Sequence, residues 1–218
     1  MSKPVKIDFV SDVACPWCAI GLAALERAMA DIGGDLQVEL HFQPFELNPD
    51  MGPEGEPIAE HLAHKYGLSA DQLAQNGEAL RQRGETLGVR IDLQKRDHIY
   101  NTFDSHRLLY WAGELGTEQQ HALKRALLQA YHGVGRNVSD REVLVDIAGA
   151  TGLDVDEARR ILDTDAFAAQ VREREHFYQQ RGIRAVPSVI LNDRHLLQGG
   201  QPPEVFAQAL RQLAGIAG

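Results

Sequence analysis

The sequence predicts an α/β protein in which both ends of the chain contribute strands to one sheet and a long helical segment is inserted between them. Three observations support this architecture. Residues 5–45 follow a strand–helix–strand pattern, and strand-like patterns return only from residue 186. Between them, apolar residues recur at helical spacing over most of residues 58–181. The length of 218 residues suits one large domain or one domain that carries an inserted second.

The first unit combines two strands with a helix. Residues 5–10 alternate apolar and polar side chains, which is typical of a strand. From Cys15 to residue 32 the apolar residues recur with a helical period, and a pair of glycines then ends the helix. Residues 36–45 alternate again and predict a second strand. This order favours a parallel strand pair joined by a right-handed crossover.

The middle of the chain is predicted to be helical with short breaks. A loop rich in proline and glycine at residues 46–57 separates it from the first unit. No convincing repeat period appears, so a solenoid is not predicted. The predicted helices span residues 57–66, 69–87, 98–115, 117–133, 140–150, 154–163 and 165–181.

The end of the chain returns to strands. Residues 186–191 form a short apolar run, Asn192 and Asp193 give a turn signal, and residues 195–198 form a second run, so we expect a hairpin. An amphipathic helix is predicted over residues 204–213.

We therefore expect two domains. Residues 1–50 and 182–218 would form the sheet domain, and residues 51–181 would form the inserted helical domain. A crevice between two such domains is the expected place for a substrate.

Composition excludes several classes of function. The chain contains 44% hydrophobic and 24% charged residues, as ordinary globular proteins do. Its 22 basic and 31 acidic residues give a net charge of −9, which argues against binding to nucleic acid or to anionic membranes. No apolar run is long enough to span a membrane, and the N-terminus does not resemble a signal peptide. We expect a cytoplasmic protein.

The motif that points to chemistry is Cys15-Pro16-Trp17-Cys18, which contains both cysteines of the chain. A disulfide closing so short a loop would stabilise the fold by only about 2 kcal/mol, so the pair is predicted to serve chemistry. Pro16 suits the first position of a helix and places Cys15 at the N-cap, where free backbone N–H groups and the helix dipole favour a thiolate. We expect Cys15 to attack and Cys18, one turn later, to resolve the mixed disulfide, with the bulk of Trp17 beside the reactive sulfur.

Two other interpretations of the cysteine pair stay open. Half of a zinc site would need two more ligands, yet the sequence has no further cysteine. His61 and His64 have suitable residue types but lie in a predicted helix of the other domain. An inert, buried pair is the second alternative. We expect no metal.

The combined motifs resemble the DsbA family of thioredoxin-fold proteins, and more closely its FrnE-like subgroup. The resemblance rests on the C-P-W-C motif after a strand, the long helical insertion, and Val186-Pro187 before the last strands. Further matching segments are Phe45-Glu46-Leu47-Asn48-Pro49, Asn101-Thr102, His106-Arg107-Leu108-Leu109, Gly135-Arg136 and Gly199-Gly200-Gln201-Pro202. It implies a thioredoxin fold with a large all-helical insertion and the activity of a protein disulfide oxidoreductase or isomerase.

The resemblance also implies roles for individual residues. The peptide bond before Pro187 should be cis and pack against the dithiol, and the backbone of Val186 should pair with an incoming peptide. Asp8 is the candidate for a buried carboxylate that exchanges a proton with Cys18, and Asp12 is a second candidate. An Asp8 that faces solvent is the alternative interpretation.

Related families leave a second function open. The chain is also similar to 2-hydroxychromene-2-carboxylate isomerases and kappa-type glutathione transferases, which generally carry serine at the position of Cys15. A glutathione-dependent isomerase or transferase is therefore the alternative, with Val186 and Asn48 as contacts for glutathione. A third possibility is a non-catalytic protein that binds unfolded chains in the cleft.

The expected partners are thiol or disulfide protein substrates or small thiols. No cofactor is expected beyond the redox-active Cys15–Cys18 disulfide, although glutathione stays possible. The sequence leaves the oligomeric state, the redox potential and the direction of electron flow open.

Overall fold

The computed structural model of the chain describes residues 4–52 and 54–216. The terminal residues 1–3 and 217–218 of the predicted sheet domain, and Pro53 of the predicted loop, lie outside the described residues. The strands are β1 (Val5–Ser11), β2 (Val38–Pro44), β3 (Glu56–Pro57), β4 (His98–Ile99), β5 (Ser188–Leu191) and β6 (His195–Gln198).

Helices make up most of the remaining chain. They are α1 (Pro16–Ile32), α2 (Ile58–Tyr66), α3 (Ala70–Thr86), α4 (Phe103–Leu115), α5 (Thr117–Leu128), α6 (Arg141–Ala150), α7 (Val155–Asp163), α8 (Ala168–Gln180) and α9 (Pro203–Ala214). A 3₁₀ turn follows α1 at Gly33–Asp35, and a π-helical turn follows α5 at Gln129–Gly133.

The main sheet is built from both ends of the chain, as the sequence predicted. Its strand order is β2-β1-β5-β6, with β1 and β2 parallel and the other neighbours antiparallel. Asn192 and Asp193 connect β5 to β6 with φ angles of 50° and 59°. Two successive positive φ angles are typical of the tight turns that suit the twist of a hairpin. The segment predicted to be an all-helical insertion is mostly helical, but β3 and β4 pair within it as a separate two-stranded sheet.

Two predicted helices begin later than expected. Residues 98–99 form β4, which pairs with β3, so the helix predicted over residues 98–115 begins at Phe103. The helix predicted over residues 165–181 begins at Ala168, because Phe167 adopts a left-handed conformation with φ of 62°. Such a conformation cannot continue a right-handed helix.

Apolar side chains form separate clusters on the two sides of the main sheet. On one side, β1 packs against α1 and α9 through residues such as Ile7, Phe9 and Phe206. On the other side, Val10 packs with Tyr178 of α8. A third cluster lies among the helices and includes Val13 and Ala14, which connect β1 to α1. Among its other large members are Leu108, Trp111, Leu123, Leu127, Tyr131, Leu144 and Ile161.

Strand β2 forms one edge of the main sheet, and helix α5 lies along this edge, where Gln120 anchors it. The side-chain oxygen of Gln120 accepts a hydrogen bond from the Phe42 N–H at 2.9 Å, and its amide nitrogen donates to the Phe42 carbonyl at 3.1 Å. The same nitrogen donates to the Leu109 carbonyl of α4 at 3.1 Å. This side chain satisfies backbone groups that an edge strand would otherwise leave unpaired.

Candidate active site

The cysteine pair lies where β1 gives way to α1. Cys15 is the N-cap residue, with extended backbone angles, and Pro16 is the first residue of the helix. The Cys18 N–H donates to the Cys15 carbonyl at 3.0 Å. Both cysteines are free thiols, 5% and 0% exposed, and they pack into the cluster that contains Phe9. The predicted position of Cys15 at the N-cap is therefore confirmed.

The pKa of the Cys15 thiol depends more on Cys18 than on the helix terminus. Hydrogen bonding from the Cys18 side chain is the largest cause that lowers the pKa of Cys15 below its usual value. Burial opposes this, and the backbone N–H groups of Cys18 and Trp17 contribute less. Among the described residues, the Cys15 side chain makes no hydrogen bond that caps the helix. The lowered pKa of Cys15 therefore has Cys18 as its main cause, whereas the sequence predicted the helix terminus as the cause.

Cys18 has the opposite character. Burial raises the pKa of its thiol well above the usual value, and donation of its proton toward Cys15 raises it further. The charge of Lys124 acts in the other direction and lowers it. The two sulfurs are thus chemically unequal, with one that ionises readily and one that holds its proton.

The segment before β5 closes over the dithiol. The Val186–Pro187 peptide bond is cis, and the Cys15 thiol donates to the Val186 carbonyl at 3.6 Å. A Cβ atom at Gly21 of α1 would lie 3.0 Å from Cγ of Pro187, so glycine permits this close approach. The Gly199 N–H donates to the Pro187 carbonyl at 2.8 Å. The structure therefore brings Val186 and Pro187 together with the cysteines.

Two exposed aromatic side chains, Trp17 and Tyr66, belong to this region of the molecule. Trp17 is 41% exposed, and a Cβ atom at Gly200 would lie 3.1 Å from its ring. Tyr66, the last residue of α2, is 56% exposed. Burial raises the pKa of Tyr66, and the charge of Cys15 raises it further. We call Trp17 and Tyr66 the aromatic rim.

Asn48 lies near this rim but is already engaged. Its side-chain oxygen accepts a hydrogen bond from Nζ of Lys65 at 2.6 Å. The same ammonium group donates to the Leu47 carbonyl at 2.7 Å. A ligand that contacts Asn48 would therefore meet Lys65 as well.

Asp12 is the buried carboxylate beside the dithiol. Its oxygens accept hydrogen bonds from the Ala14 N–H at 3.1 Å, the Leu47 N–H at 2.7 Å and the Thr102 hydroxyl at 2.7 Å. Nε2 of His106 lies 3.5 Å away. Burial would raise the pKa of Asp12, but its interactions with His106, Leu47 and Thr102 hold it below the usual value. Asp12 is therefore charged at neutral pH.

Asp8 lies on the other side of the sheet. Its neighbours Ile7 and Phe9 belong to the cluster with the cysteines, so strand alternation directs Asp8 toward α8. It is buried, accepts a hydrogen bond from Gln43 at 2.7 Å and pairs with Lys6 at 3.1 Å. The structure does not bring Asp8 together with Cys18, whereas Asp12, the second candidate, lies close to the dithiol.

Sequence analysis missed Lys124, a fully buried residue of α5. Its Nζ lies 6.0 Å from the centre of the Phe42 ring. Burial lowers the pKa of Lys124, opposed by the charges of Cys18, Asp12 and Cys15. The signal was available, because Lys124 falls within the apolar stripe of α5; the buried members of this stripe are Leu123, Leu127 and Leu128.

The structure offers no support for the zinc interpretation. Within residues 4–52 and 54–216, no three His, Cys, Asp or Glu side chains are grouped so that they could hold a metal ion. His61 is instead paired with Glu56.

Within residues 4–52 and 54–216, none of the helices combines the length and the apolar character that crossing a membrane requires.

Comparison with known proteins confirms the predicted DsbA-like thioredoxin fold. Residues 6–211 match the DSBA-like thioredoxin domain. A probable DsbA oxidoreductase from Streptomyces coelicolor is 35% identical; its crystal structure has a TM-score of 0.88 and the match covers 98% of this chain and 92% of that one. The Bacillus subtilis protein YwbO is 28% identical over 94% of this chain and 96% of its own length. A 2-hydroxychromene-2-carboxylate isomerase shares the fold, with 16% identity, a TM-score of 0.71 and coverage of 98% and 100%.

Proposed function

The chain belongs to the DSBA-like thioredoxin domain family, and on this premise we propose that it exchanges thiols and disulfides through a mixed disulfide on Cys15. The observation that carries this proposal is the position of the two thiols, with Cys15 at the N-cap of α1 against Val186 and Cys18 fully buried one turn later. Cys15 has a lowered pKa, whereas that of Cys18 is raised well above the usual value. A nucleophile that ionises readily and a neighbour that holds its proton are what a two-step exchange requires.

The reaction consists of two sulfur displacements. The Cys15 thiolate attacks a substrate disulfide, forms a bond to one sulfur and releases the other as a thiolate. Cys18 then loses its proton and attacks the Cys15 sulfur, which forms the Cys15–Cys18 disulfide and releases the second substrate thiolate. The substrate gains two electrons and the cysteine pair loses two. The same steps in reverse oxidise a dithiol substrate.

The surroundings of the sulfur favour an extended peptide as substrate. The aromatic rim offers apolar contacts, and the half-buried Val186 adjoins the reactive thiol. A peptide that pairs with the Val186 backbone would present its own sulfur beside Cys15. The FrnE-like subgroup, the cytoplasmic location, the absence of a further cofactor and the division into two domains stay predictions from the sequence.

Two serine variants test the proposal. Cys15→Ser should lower turnover of a fluorescent peptide disulfide about 10³-fold or more, because the nucleophile is lost. Cys18→Ser should accumulate a covalent adduct with the substrate, detectable as an added mass, because nothing resolves the mixed disulfide. Full turnover by Cys18→Ser without any adduct would contradict the two-cysteine mechanism.

The glutathione-dependent alternative is distinguished by binding. Titration calorimetry of Cys15→Ser with glutathione should show no submicromolar binding if the dithiol proposal holds. Submicromolar binding, together with a Cys18→Ser variant that traps no substrate, would favour an isomerase or transferase.

A further inference from the structure

His132 is a fully buried histidine that the dithiol chemistry described so far does not use. It lies in the π-helical turn Gln129–Gly133, which follows α5. Turns of this kind are rare, and many of them occur at functional sites. Nε2 of His132 lies 2.9 Å from the carbonyl oxygen of Val13, in the connection that leads from β1 to Cys15. His132 therefore contacts the segment that carries the reactive thiol.

The protonation state of His132 follows from the surroundings of its two ring nitrogens. A carbonyl oxygen can only accept a hydrogen bond, so Nε2 carries the proton that is donated to Val13. Nδ1 is buried and has no hydrogen-bond partner among the described residues. A second proton on Nδ1 would create a buried charge without an acceptor, which is costly. Burial accordingly holds the pKa of His132 well below its usual range. The side chain is thus a neutral hydrogen-bond donor to Val13.

The carbonyl that His132 contacts belongs to a peptide unit that is held on both sides. This unit joins Val13 to Ala14, and its N–H donates to the carboxylate of Asp12 at 3.1 Å. The carbonyl and the N–H of a trans peptide point in opposite directions, so the two partners act from opposite sides. Because the unit is planar, it cannot rotate without weakening both hydrogen bonds. His132 and Asp12 together therefore fix its orientation.

This peptide unit lies at the centre of the turn that presents Cys15. The Cys15 N–H donates to the Asp12 carbonyl at 3.3 Å and closes a β-turn over residues 12–15. The common types of β-turn differ in the orientation of their central peptide, which sets the backbone angles of the residues around it. In the observed orientation, the Cys15 thiol lies 3.6 Å from the Val186 carbonyl oxygen. A rotation of the central peptide would move this sulfur relative to Val186 and Cys18.

We propose that His132 is a positioning residue, which holds the peptide between Val13 and Ala14 in the orientation that presents the Cys15 thiolate to a substrate disulfide. The inference rests on the proposed dithiol function and adds to it a residue from the helical segment between β4 and β5. His132 itself makes no bond to the substrate and transfers no proton. Among the described residues, its imidazole is the one hydrogen-bond donor to the Val13 carbonyl. Loss of this donor leaves a buried carbonyl unpaired, which favours rotation of the peptide.

Neighbouring contacts hold the imidazole of His132 in place. The backbone carbonyl of His132 accepts a hydrogen bond from the Asp92 N–H at 2.8 Å. The ring of Tyr131 meets the imidazole edge-on, with 4.7 Å between the two ring centres. The Tyr131 hydroxyl in turn donates to the His98 carbonyl at 2.9 Å. Both the backbone and the ring of His132 are thus fixed by residues outside the β1–α1 connection, as a positioning residue requires.

The pH dependence of Cys15 alkylation by iodoacetamide tests the inference without a disulfide substrate. His132→Leu keeps a buried apolar side chain but cannot donate a hydrogen bond. At pH 6 this variant should react about fivefold more slowly or less, and the midpoint of its pH profile should move to higher pH, because a displaced Cys15 thiol ionises less readily. Mass spectrometry verifies that the label is on Cys15. A merely structural role of His132 would lower the stability of the fold but leave this pH profile unchanged.

Two matched variants separate the hydrogen bond from the loss of the ring. His132→Gln also lacks the ring but can donate an N–H to Val13, so its alkylation rate should return to within about twofold of the wild type. Tyr131→Phe removes a hydrogen bond of the same length from the adjacent residue and should leave the pH profile unchanged. If His132→Leu reacts as the wild type does, or if His132→Gln is as slow as His132→Leu, the inference is overturned.

A further measurement uses the wild-type protein and decides the matter even if His132→Leu does not fold. Long-range ¹H–¹⁵N NMR at pH 7 distinguishes the two neutral tautomers of His132. We expect the Nε2–H tautomer; the Nδ1–H tautomer, in which Nε2 cannot donate to Val13, would overturn the inference. Failure of the proposed function is recognised separately. It would appear in the Cys15→Ser and Cys18→Ser assays, whereas alkylation and the tautomer do not depend on disulfide exchange.

Discussion

Both sides of the main sheet bury charged residues, but they neutralise them in different ways. On the side that faces α8, Asp8 pairs with Lys6 and Glu46 pairs with Arg172, cations whose side chains are 40% and 48% exposed. On the dithiol side, Lys124 is completely enclosed and interacts electrostatically with the two thiols. Partly exposed cations thus neutralise the buried carboxylates on the first side, whereas on the second side Lys124 has no hydrogen-bond partner among the described residues.

The same substitution on the two sides should have very different costs, and the larger one concerns Asp12. In Asp12→Asn the amide group must turn an N–H toward a backbone donor, either the Leu47 N–H or the Ala14 N–H, whereas the Thr102 hydroxyl can rotate to accept. The expected loss is about 3 kcal/mol in the free energy of unfolding, measured by urea denaturation at pH 7.

The pH dependence provides a second readout for Asp12. Because its pKa in the folded protein lies below the usual 3.8, its charge stabilises the fold above that pH, and this contribution is lost as the pH falls through the folded-state pKa. Asp12→Asn should therefore unfold with less pH dependence in the acid range. Wild-type stability in Asp12→Asn at pH 7 would refute the difference between the two sides.

Glu46 should give an intermediate effect of opposite sign. Arg172 contacts both Glu46 and Glu175, and it stacks 3.9 Å from the centre of the Phe103 ring. Burial, followed by the charge of Glu175, raises the pKa of Glu46 to about 7. Between the reference value of 4.5 and about 7 the folded protein binds the extra proton, so its stability falls as the pH rises through this range.

Glu46→Gln should remove this loss. We expect the variant to be about 1 kcal/mol more stable than the wild type at pH 8, where the wild-type carboxylate is charged, and nearly equal at pH 5. Urea denaturation at the two pH values measures the difference. A variant that is less stable than the wild type at pH 8 would show that the ion pair with Arg172 outweighs burial.

Asp8→Asn should have the smallest effect and serves as the matched control for Asp12→Asn. The new amide oxygen can still accept the hydrogen bond from Gln43, and Lys6 keeps its second partner, Asp193. We expect a loss of less than about 1 kcal/mol and an unchanged rate of Cys15 alkylation. A large fall in alkylation rate would place Asp8 in the dithiol chemistry after all.

Local patterns were sufficient to predict the sheet and most helices. The structure contains the strands that were predicted from alternation in residues 5–10 and 36–45 and from the turn at Asn192-Asp193. The pattern failed at residues 98–99, because their partner strand is residues 56–57, and pairing over such a separation leaves no local signal. The start of α8 was misplaced because the left-handed Phe167 has no glycine to mark it.

The sequence predicted only those parts of the candidate site that depend on local patterns. The N-cap position of Cys15 follows from Pro16, and the structure confirms it. The dominant effect of Cys18 on Cys15 depends on the spatial relation of two side chains, which sequence spacing does not supply. The position of Lys124 in the apolar stripe of α5 could have suggested its burial, but the groups around its amine follow only from the docking of α5 on β2.

The Gln120 contact has a consequence for how the protein behaves at high concentration. An open strand margin is a template for pairing between chains and is a common beginning of aggregation. On β2, the Gln120 carboxamide forms hydrogen bonds with both the N–H and the carbonyl of Phe42, as the backbone of a further strand would. The Gln120 side chain thus hinders the pairing of this edge strand with strands of neighbouring molecules.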